Sequence, residues 1–79
     1  MEKYLEQVEK LLSENELSEK YHCKIKDNSM LRVIDIESKK RVFVKEELCE
    51  KYIGFLKESK DNFDLQFSMV NDNNYLEIP

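Results

Sequence analysis

MLRVIDIESKKRVFVK, residues 30–45, is the stretch whose reading decides the fold. Two runs rich in β-branched residues, 30–37 and 41–45, flank Ser38-Lys39-Lys40, which predicts a β-hairpin. The turn lacks the glycine that the tightest hairpin turns favour, so the register has to be inferred from the side chains it collects. A three-residue loop pairs Glu37 with Arg41, Ile36 with Val42 and Ile34 with Val44. That gathers Ile34, Ile36, Val42 and Val44 on one fully apolar face. Shifting the pairing by one residue would scatter them, because every side chain on a strand changes face with each step. The same register leaves Leu31, Val33 and Phe43 on the other face, among Asp35, Glu37, Arg41 and Lys45.

Outward from the hairpin, YHCKIK (residues 21–26) alternates, with Tyr21, Cys23 and Ile25 on one face and His22, Lys24 and Lys26 on the other. This is a half-buried strand. Neighbouring residues of a strand diverge, so the His22-Cys23 pair is not a nucleophile beside its base. Residues 1–13 place Tyr4, Leu5, Val8, Leu11 and Leu12 on one helical stripe. Leu17 would fall on the polar side, so that helix ends near Ser13 to Asn15. Residues 46–59 form a second helix, with Leu48, Cys49, Tyr52, Ile53, Phe55 and Leu56 as its apolar stripe and the sole glycine, Gly54, on its polar face. FDLQFSMV (63–70) alternates again and predicts a strand with Phe63, Leu65, Phe67 and Met69 inward. Asn71 to Asn74 form a turn, and Leu76 and Ile78 line a last short strand.

The expected fold is therefore α+β, in the order α-β-β-β-α-β-β. Two amphipathic helices pack on one face of a five-stranded, mainly antiparallel sheet within a single domain, residues 1–79. The expected core contains Leu5, Val8, Leu12, Cys23, Ile34, Ile36, Val42, Val44, Leu48, Tyr52, Ile53, Leu56, Leu65 and Phe67.

Composition narrows the function. Among 79 residues there are one glycine, one histidine and two cysteines. A phosphate-binding glycine loop is excluded, and one histidine with two distant cysteines lacks zinc-ligand spacing. No metal, cofactor or catalytic grouping is expected. The charged N-terminal segment lacks the apolar core of a signal peptide, and two cysteines without a disulfide framework point to a cytoplasmic protein with reduced thiols.

Charge is distributed unevenly within the net −4. Residues 1–19 hold six acids against two lysines, 20–45 eight basic residues against three acids, and 46–79 eight acids against three lysines. Such segregation suits a charge-steered contact surface. The candidate contact residues are Leu31, Val33 and Phe43 with Glu37 and Arg41, together with Glu6 and Glu9 of the first helix and Glu47 and Glu50 of the second. The expected function is a non-enzymatic, acidic protein-binding module. It would inhibit or regulate a nucleic-acid-handling protein, as phage and mobile-element anti-defence proteins such as anti-CRISPRs do. Size, charge and lack of chemistry carry that expectation; no motif does. The partner would be a protein, a basic nucleic-acid-binding one or a second copy of the chain. The alternatives are direct nucleic-acid binding through the basic residues of 20–45 and a housekeeping adaptor or antitoxin-like subunit.

Overall fold

A computed structural model describes residues 1–69 of the chain. Three strands, β1 (Tyr21–Lys26), β2 (Met30–Asp35) and β3 (Arg41–Lys45), form an antiparallel sheet in the order β1-β2-β3. Helices α1 (Glu2–Glu14) and α2 (Glu46–Glu58) cover one face, α1 against β1 and α2 against β3. A third helix, α3 (Asp61–Met69), packs against α2.

α1 ends where Leu17 predicts that it must. Glu16 takes a left-handed conformation (φ 60°), and Leu17 N–H donates back to the Leu12 carbonyl at 2.8 Å. The chain thus folds Leu17 against the core instead of leaving it on the polar side. Strand β1 alternates as its sequence predicts, with Tyr21 and Cys23 buried and His22 and Lys24 exposed.

The hairpin register differs from the expected one. Val33 pairs with Val42, Leu31 with Val44 and Ile34 with Arg41. Relative to β3, β2 is displaced by three residues, an odd number, so its two faces are exchanged. Leu31 and Val33 are fully buried, whereas Ile34 is half-buried on the outer face and Ile36 is 39% exposed in the turn. The cause lies in Asp35. Its carboxylate accepts the N–H groups of Glu37 and Ser38 at 3.0 and 3.3 Å, and its carbonyl accepts Lys39 N–H at 2.8 Å. Lys39 closes the turn at φ 66°. An aspartate that caps its own following residues starts a turn there, so β2 stops at Asp35 and the connection runs through five residues, 36–40, not three.

A second turn agrees with the first. Asp27 and Asn28 both have positive φ (55° and 59°), and Ser29 N–H donates to the Lys26 carbonyl at 3.2 Å. This is the mirror-image turn that asparagine and aspartate tolerate and hairpins prefer. It sets Ile25 opposite Leu31 and Cys23 opposite Val33, which sends Leu31 and Val33 to the side already claimed by Cys23.

The five-stranded expectation also fails at residues 63–69, which are helical. In FDLQFSMV the period-two pattern also contains Phe63 and Phe67 four residues apart, so both share one helical face. Ser59 hydroxyl accepts Asp61 N–H at 3.1 Å, and Asp61 and Asp64 occupy the first turn, where the helix dipole favours acids. Phe63 is buried and Phe67 partly so, but Leu65, expected in the core, is 45% exposed. The turn expected at 71–74 and the strand of Leu76 and Ile78 lie outside the described residues.

The core is Val8, Leu12, Tyr21, Cys23, Leu31, Val33, Val42, Val44, Cys49, Tyr52, Ile53, Leu56 and Phe63. Leu5, Leu48 and Phe67 pack at its margin. The exchanged register makes a direct prediction for urea denaturation. Leu31→Ala should lose about 2–5 kcal/mol of stability, while Ile36→Ala should stay within about 0.5 kcal/mol of the parent. Comparable losses at both positions would contradict the register.

Candidate functional site

The helices cover one face of the sheet, and the other carries the side chains that face away from the core. Strand pairing arranges them in three rows: His22–Ile34–Arg41, Lys24–Arg32–Phe43 and Lys26–Met30–Lys45. Five of these nine positions are lysine or arginine, one is histidine, three are apolar and none is acidic. The acids nearest in sequence sit at the end of β2, in the turns and at the start of α2: Asp35, Asp27, Glu37 and Glu46.

This arrangement opposes stability. Lys24 and Arg32 are direct cross-strand partners, and like charges placed opposite one another destabilise a sheet. Among the described residues, Lys24, Lys26, Arg32 and Arg41 form no ion pair. Arg32 occupies the centre of the face, on the central strand, and its buried Nε has no acceptor among the described residues. Phe43, beside it in the same row, is half-buried, and Lys26 Nζ lies 4.7 Å from its ring centroid. A cation beside an aromatic ring at a solvent-facing site contributes about 0.5–1 kcal/mol.

The expected contact residues are therefore divided. Leu31 and Val33 belong to the core and offer no surface. Phe43 and Arg41 are on the outer face, and Glu37 lies in the turn at its edge. Glu6 and Glu9 on α1, and Glu47 and Glu50 on α2, are all exposed on the helical layer. His22, Lys24, Lys26, Met30, Arg32, Ile34 and Lys45 complete the outer face. The expected register places Arg32 on the face of Ile34 and Ile36, and the observed register brings it between Lys24 and Phe43 on the outer face.

The other clusters do different work. Lys20 Nζ donates to Asp64 at 2.5 Å, and Tyr21 hydroxyl donates to the same carboxylate. These hydrogen bonds, that of Lys20 first, hold the Asp64 carboxyl below its ordinary pKa. The Tyr21 ring stacks on Phe67 and Phe63 at centroid distances of 4.9 and 5.8 Å, so this network is the attachment of α3 to β1. His22 and Cys23 both border a depression of about 100 Å³, yet Cys23 is buried. Burial first, then the Glu9 carboxylate and the second thiol, push its pKa up to about 12. Cys49 is likewise raised, to about 11, chiefly by burial and then by Glu46, and its thiol faces the Lys45 carbonyl at 3.4 Å. Neither thiol is an activated nucleophile, since reactivity needs a lowered pKa. Among the described residues no group of histidine, cysteine and acidic side chains is placed to hold a metal ion. None of their helices is long and apolar enough to cross a membrane.

A cleft of about 400 Å³ runs between α1 and α2, walled by Tyr4, Gln7, Glu50 and Ile53 with Lys3 and Lys57 at its sides. Gly54 opens onto it, and a Cβ there would meet nothing within 4 Å.

Comparison with protein-family models, curated proteins and solved structures found no match to this chain.

Two outcomes test this account of the chemistry. Maleimide labelling of Cys23 and Cys49 at pH 8 should be at least about a hundredfold slower in the folded protein than in urea; rapid labelling of either would restore a thiol role. Gly54→Ala should raise stability by about 0.5–1 kcal/mol, since it removes backbone freedom from a helix interior without a clash.

Proposed function

We propose that this protein is a non-enzymatic module whose outer sheet face binds nucleic acid. One observation carries the reading: in a chain of net charge −4, the nine outward positions of the sheet hold five lysines and arginines and no acid. The strongly basic composition expected of a nucleic-acid-binding domain is thus reached locally, on one face. The acidic helices behind it orient the approach of a polyanion, because the field favours only one side.

Magnitudes set the scale of the interaction. Strands lie about 4.8 Å apart and alternate residues along a strand about 6.8 Å apart. The cationic face is therefore about 10 Å by 14 Å, enough for roughly two to three phosphates of one strand. Counterion release then gives a slope of about −1.4 to −2.1 for log K against log salt.

The acidic helices favour a second reading. Glu6, Glu9, Glu47 and Glu50 are exposed, and α1 and α2 each carry four acids against two lysines. A basic protein partner could dock there.

Fluorescence anisotropy with labelled oligonucleotides separates the two. Binding should be measurable at about 50 mM salt and weaken with the slope given above. Replacing the exposed Lys24 and Arg41 together by glutamate should reduce it at least tenfold, whereas Glu6→Gln with Glu9→Gln should not. Absence of binding, or full affinity after the double reversal, overturns the nucleic-acid reading. Capture of a basic protein whose association slows on reversing Glu47 and Glu50 would then put the helical layer in its place.

A further inference from the structure

The cleft between α1 and α2 lies on the side of the domain away from the outer sheet face. It is lined by apolar Tyr4 and Ile53 and by charges of both signs, Lys3 and Lys57 with Glu50. All three charged residues are exposed, and among the described residues none of them forms an ion pair. Lys3 Nζ turns to the Tyr4 ring instead, 5.0 Å from its centroid. Gly54 adds a gap. It stands inside α2, exposed, with open space where a Cβ would be. A helix interior is a costly place for glycine, and close approach of a second backbone is one of the uses that justify it.

The order of charges along α2 points to the occupant. Glu50 and Lys57 are about two helical turns apart on one exposed face, with Gly54 between them. In the reverse direction the face runs base, glycine, acid. Two copies laid antiparallel therefore complement one another. We propose that a second copy of the chain fills this cleft, its α2 packed antiparallel on the first across a two-fold axis beside Gly54, with Glu50 of each protomer paired with Lys57 of the other. A two-fold contact makes every pairing twice, so both acids and both lysines gain partners. Opposed helix dipoles favour the same orientation.

Other occupants fit this cleft less well. A basic helix would answer Glu50 but bring its charge against Lys3 and Lys57, and an acidic one would meet Glu50. A segment with both signs in this order satisfies the cleft, and α2 supplies one. The contact is small. α2 spans 13 residues, about 20 Å, and one helix pair buries less than the roughly 1,200–2,000 Å² of a stable interface. Each protomer also carries a net charge of −4, which opposes association at long range. The dimer is therefore weak and reversible, with a dissociation constant on the order of 100 µM. Helices lie at its centre, so the contact uses neither outer sheet face and stands whatever those faces bind.

Sedimentation equilibrium of the full chain from about 10 µM to about 1 mM should follow a monomer–dimer curve. The sole glycine gives a readout free of substitution: the Gly54 amide resonance should shift with concentration while that of Lys24, on the outer face, stays fixed. Gly54→Gln places a side chain where the helices meet. It should weaken association at least about tenfold and leave the urea midpoint no lower than the parent's, since glutamine is the better helix former. Glu50→Lys and Lys57→Glu, each checked for folding by circular dichroism, should be monomeric when alone. Mixed in equal amounts they should form a heterodimer at least as tight as the parent dimer, because one then presents two positive charges to two negative ones on the other. A chain that stays monomeric at about 1 mM, an association indifferent to Gly54→Gln, or a mixture no more associated than its components would overturn the proposal.

Discussion

Everything in this small domain depends on which face of β2 turns inward. A strand has two faces and no intermediate position, so one choice of register settles the core and the outer surface together. Here two turns make that choice, and they agree. Asp27 and Asn28 set Cys23 against Val33. Asp35 ends β2 and sets Val33 against Val42. Cys23, Val33 and Val42 then form one continuous buried row under the helices, with Ile25, Leu31 and Val44 beside it. The same constraint delivers Lys24, Arg32 and Phe43 to the other side as a matching row.

The third helix shows a different kind of dependence. Its apolar residues are too few for an isolated helix of nine residues to be stable. It exists because Tyr21, at the start of β1, gives Phe63 and Phe67 a ring to stack upon and gives Asp64 a hydroxyl. Lys20 adds the charge that keeps Asp64 ionised to lower pH than an ordinary carboxyl. That pair is exposed, so its contribution is screened by solvent and the aromatic packing dominates. Gln66, buried on the same helix with an unpartnered Oε1 among the described residues, is the weak point of this docking.

The outer face carries a cost that the fold does not require. Facing Lys24 with Arg32 works against the sheet, and serine or threonine at either site would relieve the repulsion without disturbing the core. A two-layer domain needs only polar residues on its open side; it does not need them all cationic. The helices show the opposite bias, so the molecule is polarised across its thickness and its net charge conceals both halves. That polarity distinguishes this face from an ordinary solvated sheet, whose polar positions carry both signs of charge.

Much of this was legible in the residues themselves. The two amphipathic helices, the alternation of Tyr21 to Lys26, the burial of both cysteines and the end of α1 before Leu17 follow from local periodicity, because each element's own pattern admits one reading. The mirror-image turn was also written in the sequence. Asp27-Asn28 carries more register information than Ser38-Lys39-Lys40, and it would have sent Leu31 and Val33 inward. Residues 63–69 were different in kind. Phe63, Leu65, Phe67 and Met69 satisfy a strand's period, and Phe63 with Phe67 also satisfies a helix's. Only a tertiary partner, Tyr21, resolves such a pattern. The composition of the outer face depends likewise on pairing between three separate strands, so the cationic rows around Phe43 come into being only when the sheet does. The sequence held the charges; long-range pairing decided that they would stand together.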